Sequence, residues 1–183
     1  MKLYFVGIGG IGTSALAQLC AARGDQVSGS NQGETAIWES LSDAGITLFA
    51  EHNQAQLPED TDLLVYSEAV PKDNPERAKA RDLGIPEQSY FEYLGEVSKD
   101  YTTIAITGTH GKTTTTAMMA AGFLQAHFPA TMIVGSKLKE FDGSNFKTGT
   151  NDWLLVEACE YRNNFQHLNP EIIVVTNVEL DHV

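Results

Sequence analysis

Ile104-Ala105-Ile106-Thr107-Gly108-Thr109-His110-Gly111-Lys112-Thr113-Thr114-Thr115-Thr116 runs from an apolar strand, through a glycine-bounded turn bearing a lysine, into a helix. A tight turn at a helix N-terminus leaves backbone N–H groups aimed outward, and the positive end of the helix dipole reinforces them. Lys112 adds a point charge, so the expected occupant is an anion, phosphate above all. The run of threonines at 113–116 argues against an ordinary solvated turn. β-Branched residues lose rotamer freedom in a first helical turn, whereas a hydroxyl directly after the lysine is what a Mg²⁺-nucleotide site needs. The widespread cradle carries glycine five residues before its Gly-Lys pair; here that position is Ile106, so the loop is a shortened form, Gly-Thr-His-Gly-Lys-Thr-Thr.

Upstream, Leu3 to Val6 is a short apolar strand entering Gly7-Ile8-Gly9-Gly10-Ile11-Gly12, with a helix expected over Thr13 to Arg23 and closed by Gly24. A strand at Gln26 to Ser30, a helix over Thr35 to Ala44 stopped by Gly45, and strands at Ile46 to Phe49 and Asp62 to Tyr66 follow. Trp38 and Leu41 share a helical face and are expected in the core. Asn74-Pro75 opens a helix that Gly84 ends, with a capping side chain followed by proline at the first helical position. Short apolar strands alternating with helices predict an α/β chain with a Rossmann-like, doubly wound parallel sheet. The polar stretch Val97 to Tyr101 separates this half from the cradle strand, which gives expected domains at 1–98 and 99–183.

In the second half the spacing predicts a helix over Lys112 to Ala126, strands at Thr131 to Val134 and Trp153 to Val156, a short helical segment, and a strand at Ile172 to Thr176. Ending at Val183 with no helix to cover this sheet, the chain reads as the opening part of a longer P-loop-type α/β domain.

A length of 183 residues accommodates one generous domain or two small ones, at roughly 100 to 200 residues per domain. The net charge of −12 and the absence of any Lys/Arg run argue against a nucleic-acid or anionic-membrane surface, each of which needs a basic footprint. No apolar run approaches the roughly 18 residues of a membrane span. Glycines at 7, 9, 10 and 12, with Thr13, interrupt the N-terminal apolar stretch and argue against a signal peptide. Cys20 and Cys159 lack C-x-x-C spacing and read as free thiols of a cytoplasmic protein. Nothing in the sequence points to an oligomeric state.

The first glycine cluster spells G-x-G-x-x-G in a strand-turn-helix context. An NAD site usually adds an acid about 20 positions further on, where this chain has Ser30 and Asn31, so another diphosphate is the better expectation. Trp153-Leu154-Leu155-Val156-Glu157 is an apolar strand ending in a carboxylate, the position from which an acid holds Mg²⁺ in phosphoryl-transfer sites; a solvent-facing glutamate is the plainer alternative. Thr176-Asn177-Val178-Glu179-Leu180-Asp181-His182 follows another strand, so Lys112, Glu157 and His182 could converge at the C-terminal edge of a parallel sheet. Imidazole prefers softer metals than Mg²⁺, and chemistry alone leaves His182 open between a ligand and a polar neighbour. His52, His127 and His167 have no ligand spacing, and His110 is expected to contact the cradle through its backbone.

Together with Glu157-Ala158-Cys159-Glu160, these motifs stand in the order and spacing of the Mur ligases, which the whole chain resembles. The resemblance implies an ATP-dependent cytoplasmic enzyme of peptidoglycan precursor synthesis. In it the carboxylate of UDP-N-acetylmuramate takes the γ-phosphoryl group of ATP, and the amine of L-alanine then displaces phosphate from the acyl phosphate. By matching motif positions, Gly108, Thr109, His110, Gly111, Lys112, Thr113 and Thr114 would bind ATP, with Lys112 neutralising the β- and γ-phosphates. Thr113, Glu157 and His182 would hold Mg²⁺, while Gly9, Gly10, Ile11, Gly12 and Ser67 would serve the UDP substrate. The Gly9-Gly10-Ile11-Gly12 turn and the compact Tyr161-Arg162-Asn163-Asn164-Phe165 segment favour a member that adds L-alanine. The alternatives are a relative that recycles murein tripeptide, with its Gly-Ile-Cys-Gly-type turn and longer basic insertion, and a non-catalytic UDP-sugar-binding module. Asn31 replaces a usual aspartate, Glu68 a usual small residue, and Cys159 a frequent aspartate. Because these ligases have three domains, the 183 residues alone are expected not to turn over.

Overall fold

The computed structural model describes residues 1–150, 152–158 and 166–179. Their contacts form two compact units, Met1–Tyr93 and Leu94–Val183.

The first unit is built on β1 (Lys2–Val6), α1 (Ile11–Ala22), β2 (Gln26–Ser30), α2 (Trp38–Asp43), β3 (Thr47–Phe49), β4 (Leu63–Tyr66), α3 (Pro75–Leu83) and β5 (Glu87–Ser89). Its strands pair in parallel in the order β3-β2-β1-β4-β5. Helices covering both faces bury a central strand twice over, which is why Leu3, Tyr4, Phe5 and Val6 form an unbroken apolar run with at most 1% exposure. The chain winds outward from β1 to β3 and then returns to the other side of β1 as β4. The C-terminal ends of β1 and β4 therefore flank the point where strand order reverses, the usual place for a crevice.

Helix α1 begins at Ile11, two residues before the sequence suggests, because Gly10 takes the N-cap position with extended backbone. In the α2 region the core contacts come from Leu41 and from Ile37, whereas Trp38 is only half-buried. Helix α3 opens as its sequence predicts: the Asn74 side chain accepts from the N–H groups of Glu76 and Arg77, and Gly84 ends it in a left-handed conformation. Arg77, 3% exposed, donates two bonds to Glu87 at 3.0 and 3.2 Å and one to the Val70 carbonyl at 2.9 Å. Its guanidinium also lies 3.5 Å from the centre of the Tyr66 ring. Arg77→Ala strips these partners at once and should lower stability by about 3 kcal/mol, read from urea unfolding curves. A change within experimental error would show that the ion pair is only peripheral.

Two elements around the unit boundary were not evident from periodicity. Strand β5 is short and polar, stabilised by pairing with β4. Helix α4 (Tyr90–Ser98) follows it directly, and the expected polar stretch from Val97 includes its last two residues. Its start is a reciprocal cap: Ser89 Oγ accepts from Glu92 N–H at 3.3 Å, and Glu92 Oε2 accepts from Ser89 N–H at 2.6 Å. That Ser-x-x-Glu spacing is the sequence signal that would have located it. The contact division falls inside α4, between Tyr93 and Leu94.

The second unit contains β6 (Thr102–Thr107), α5 (Lys112–Gln125), β7 (Thr131–Ile133), β8 (Phe146–Lys147), β9 (Trp153–Glu157) and β10 (Ile172–Val175). The order is β10-β6-β9-β7-β8, parallel except for β8, which pairs antiparallel with β7. Strand β8 lies between the two strands expected at 131–134 and 153–156, where the sequence predicts no element; at two residues it has no readable periodicity. Ile104, Ile106, Met132 and Leu155 form the core beneath α5. The short helix expected after β9 falls largely outside the described residues. Cys20 is a buried free thiol, and burial pushes it up to about 12, so it stays protonated and unreactive. Among the described residues no helix is long and apolar enough to cross a membrane.

Candidate functional site

In the second unit, β6 delivers the chain into Gly108-Thr109-His110-Gly111, and Gly111 caps α5 with φ of +80°. At Gly108, φ is +129°, and a β-carbon there would overlap Thr176 Oγ1 and approach the Asn177 backbone to 2.8–3.0 Å. Only glycine lets the loop pass this close to the segment after β10. That segment clamps the loop: Asn177 O and Oδ1 accept from the N–H groups of Thr109 and His110 at 3.2 and 2.9 Å. Thr176 Oγ and Asn177 Nδ2 both donate to the His110 carbonyl. His110 thus engages the cradle through its backbone, as its position in the sequence suggests.

Lys112, at the first position of α5, turns its ammonium back across the loop and donates to the carbonyls of Gly108 and Thr109 at 2.6 and 3.2 Å. The next residue, Thr113, donates from Oγ1 to Glu157 Oε2 at 3.0 Å. Glu157 is brought there by register, since Ile106 of β6 pairs with Glu157 at the end of β9. Its other oxygen accepts from Gly135 N–H at 2.6 Å, and a β-carbon at Gly135 would fall 2.5–2.9 Å from the same carboxylate. Gly135, which sequence reasoning missed, fixes the carboxylate's orientation and leaves it room.

Along α5, Thr114 is exposed, while Thr116 is buried and bonds back to the Lys112 carbonyl. A threonine hydroxyl beside a carboxylate is a hard-oxygen donor set suited to Mg²⁺, an ion that keeps waters and takes few protein ligands. His182 lies outside the described residues.

In the first unit, a cavity of about 530 Å³ opens at the strand-order reversal, lined among others by Gly7, Gly10, Asn31, His52, Ser67 and Asn74. The glycine turn is pinned from below, with Gly7 and Ile8 N–H both bonded to the Ser30 carbonyl at 2.9 and 3.0 Å. Thr13 Oγ closes it onto the Gly7 carbonyl at 2.7 Å. Of the residues singled out in sequence, Gly10 and Ser67 line the cavity; Gly9 on the turn, and Ile11 and Gly12 at the start of α1, lie outside the lining. Gly9 N–H is directed to Asn31 Oδ1 at 3.3 Å, and Gly12 faces the Tyr90 ring. Asn31 occupies the usual place of the ribose-binding acid, while Glu68 is exposed and not part of the lining.

These features define a parallel α/β protein in which each unit carries a glycine turn feeding a helix N-terminus, one of them armed with a lysine. A family model described as "Mur ligase family, catalytic domain" matches residues 2–102, and the chain belongs to the Mur ligase family. It is 39% identical over 183 residues to a UDP-N-acetylmuramate–L-alanine ligase of Caldicellulosiruptor saccharolyticus, and 41% identical over 182 residues to that of Acetivibrio thermocellus. Those matches cover 100% and 99% of this chain but only 40% and 38% of the relatives, so the chain spans about two-fifths of their length. Among solved structures, the UDP-N-acetylmuramate–alanine ligase of Thermotoga maritima superposes with a TM-score of 0.89 at 34% identity, covering 100% of this chain and 42% of that one. A murein peptide ligase of Psychrobacter arcticus superposes with the same score at 27% identity, covering 99% and 44%.

Proposed function

We propose that this chain supplies the UDP-sugar-binding domain, residues 1–98, and the first part of the ATP-binding domain, residues 99–183, of a ligase that joins L-alanine to UDP-N-acetylmuramate. The observation that carries the reading is that Thr113, directly after Lys112 at the start of α5, bonds to Glu157 at the C-terminal edge of the parallel sheet. The cradle N–H groups and Lys112 receive the phosphates of ATP, and the ammonium leaves its two loop carbonyls to neutralise charge on the β- and γ-phosphates. Thr113 and Glu157 hold Mg²⁺, with His182 added by its motif position. When bound, Mg²⁺ neutralises phosphate charge and orients the γ-phosphoryl group.

The muramoyl carboxylate oxygen attacks the γ-phosphorus, the bond to the β-phosphate bridging oxygen breaks, and ADP leaves. The L-alanine amine then attacks the acyl carbon, the C–O bond to phosphate breaks, and the amine loses a proton to give the amide. Such chemistry asks for positioning and charge neutralisation, which this edge provides. In the first unit the glycine turn receives the UDP diphosphate, with Gly10 and Ser67 on the cavity wall. ATP and Mg²⁺ as cofactors and a cytoplasmic setting follow from the same reading.

The equal TM-scores against the alanine ligase and the murein peptide ligase favour neither substrate; identity, 34% against 27%, favours L-alanine. The test is calorimetric titration of the 183-residue chain with UDP-N-acetylmuramate, for which weak saturable binding is expected. Absence of heat at millimolar ligand would count against the UDP-sugar role of the first unit.

A further inference from the structure

Beneath the first-unit cavity lies a carboxylate that the phosphate chemistry does not use. Glu76, in the first turn of α3, is 0% exposed. Its Oε1 accepts from the Tyr4 hydroxyl at 2.8 Å and from Asn53 N–H at 3.2 Å, and its Oε2 accepts from the Ser30 hydroxyl at 2.6 Å. Nδ1 of His52 stands 3.1 Å from the same Oε2. A carboxylate taken out of water is tolerated only when donors fill its lone pairs, and here they come from β1, β2 and the loop after β3, reinforced by the dipole of α3. Burial first, and the neighbouring Glu76 charge second, hold the Tyr4 phenol far above its ordinary range, so it remains a donor.

The proton count settles the histidine. Ser30 has one hydroxyl proton, committed to Glu76, yet its Oγ also lies 2.8 Å from His52 Nδ1. Facing two acceptors, Nδ1 must carry the ring proton. In the neutral imidazole Nε2 then keeps the lone pair, on a side chain that lines the cavity. A lone pair repels a phosphate oxygen and welcomes a hydroxyl. Ser30 joins the two ends of the site, its carbonyl pinning the glycine turn and its hydroxyl sitting between Glu76 and His52.

We infer that Glu76 is a positioning residue: it fixes the orientation and Nδ1–H tautomer of His52, so that Nε2 accepts a hydrogen bond from a hydroxyl of the sugar nucleotide bound in this cavity. The hydroxyl contact rests on the UDP-sugar reading above, whereas the hold on the ring does not.

Long-range ¹H–¹⁵N correlation on the ligand-free 183-residue chain should show His52 Nδ1 as pyrrole-type and Nε2 as pyridine-type nitrogen; the reverse assignment overturns the inference. UDP and UDP-N-acetylmuramate are then titrated side by side. Glu76→Gln should weaken binding about ten-fold, and in a His52→Ala background it should cause no further loss. An equal loss in both backgrounds means that Glu76 acts only on the fold and refutes the positioning role. Loss with both ligands places the hydroxyl on the ribose, and loss confined to UDP-N-acetylmuramate places it on the amino sugar. Should the unmodified chain bind neither ligand, the UDP-sugar reading fails together with the hydroxyl contact, while the ring assignment still decides whether Glu76 sets the tautomer.

Discussion

Lys112→Ala is expected to lower the rate of ATP-dependent acyl phosphate formation by about 10³-fold or more, measured as hydroxylamine-trapped product in a protein spanning the full length of its relatives. Phosphoryl transfer leaves little covalent work to the protein, so losing the Lys112 ammonium removes charge neutralisation that backbone N–H groups cannot replace. Because Lys112 is half-exposed and bonds to the loop carbonyls of Gly108 and Thr109, the fold should survive, and far-UV circular dichroism should match that of the parent. Lys112→Arg should restore little activity. A planar fork spreads its charge and fixes its N–H groups in one plane, so it does not place a compact point charge where the ammonium does. Turnover at the parental rate in the alanine variant would remove Lys112 from the mechanism.

Gly108→Ala should be as damaging by a different route. The backbone there sits at a φ of +129°, and the added methyl meets Thr176 and the Asn177 backbone rather than the yielding end of a long side chain. Backbone strain and overpacking together cost about 3 kcal/mol. The relief available is to push the Thr176–Asn177 segment away, which breaks its bonds to Thr109 and His110 and opens the cradle. Thermal unfolding should shift downward, and affinity for ATP in the longer protein should fall with it. A variant of parental stability and affinity would mean that the loop does not need this close approach.

Much of this was legible in short windows of sequence. The Asn74-Pro75 start and Gly84 stop of α3, the glycine turns, and the Gly-Lys-Thr opening of α5 each depend on chemistry confined to a few neighbouring residues. Strands β5 and β8 were not legible, since two or three residues carry no period and exist only by pairing with a neighbour. Helix α4 was missed although Ser89 and Glu92 announce it.

The sites divide the same way. Lys112, Thr113 and Glu157 could be named as separate motifs, but the 3.0 Å contact between Thr113 and Glu157 spans 44 residues and depends on β6 and β9 being neighbours in register. Gly135 carries no motif; it matters because β7 lies on the other side of β9. Glu76 carries no motif and His52 has no ligand spacing; it is the β3-β2-β1-β4-β5 order that folds both against Ser30.

By itself the sequence determined the parallel α/β class, the two glycine turns ahead of helices, and the lysine, hydroxyl and carboxylate on which the proposed metal–triphosphate site rests. Tertiary structure alone decided which groups meet, which way the Glu157 carboxylate points, and that a buried glutamate lies against a histidine of the first-unit cavity. Propensity and capping act over three or four residues, whereas contacts across 22 to 72 residues follow from strand order and register, which the burial of the whole sheet selects.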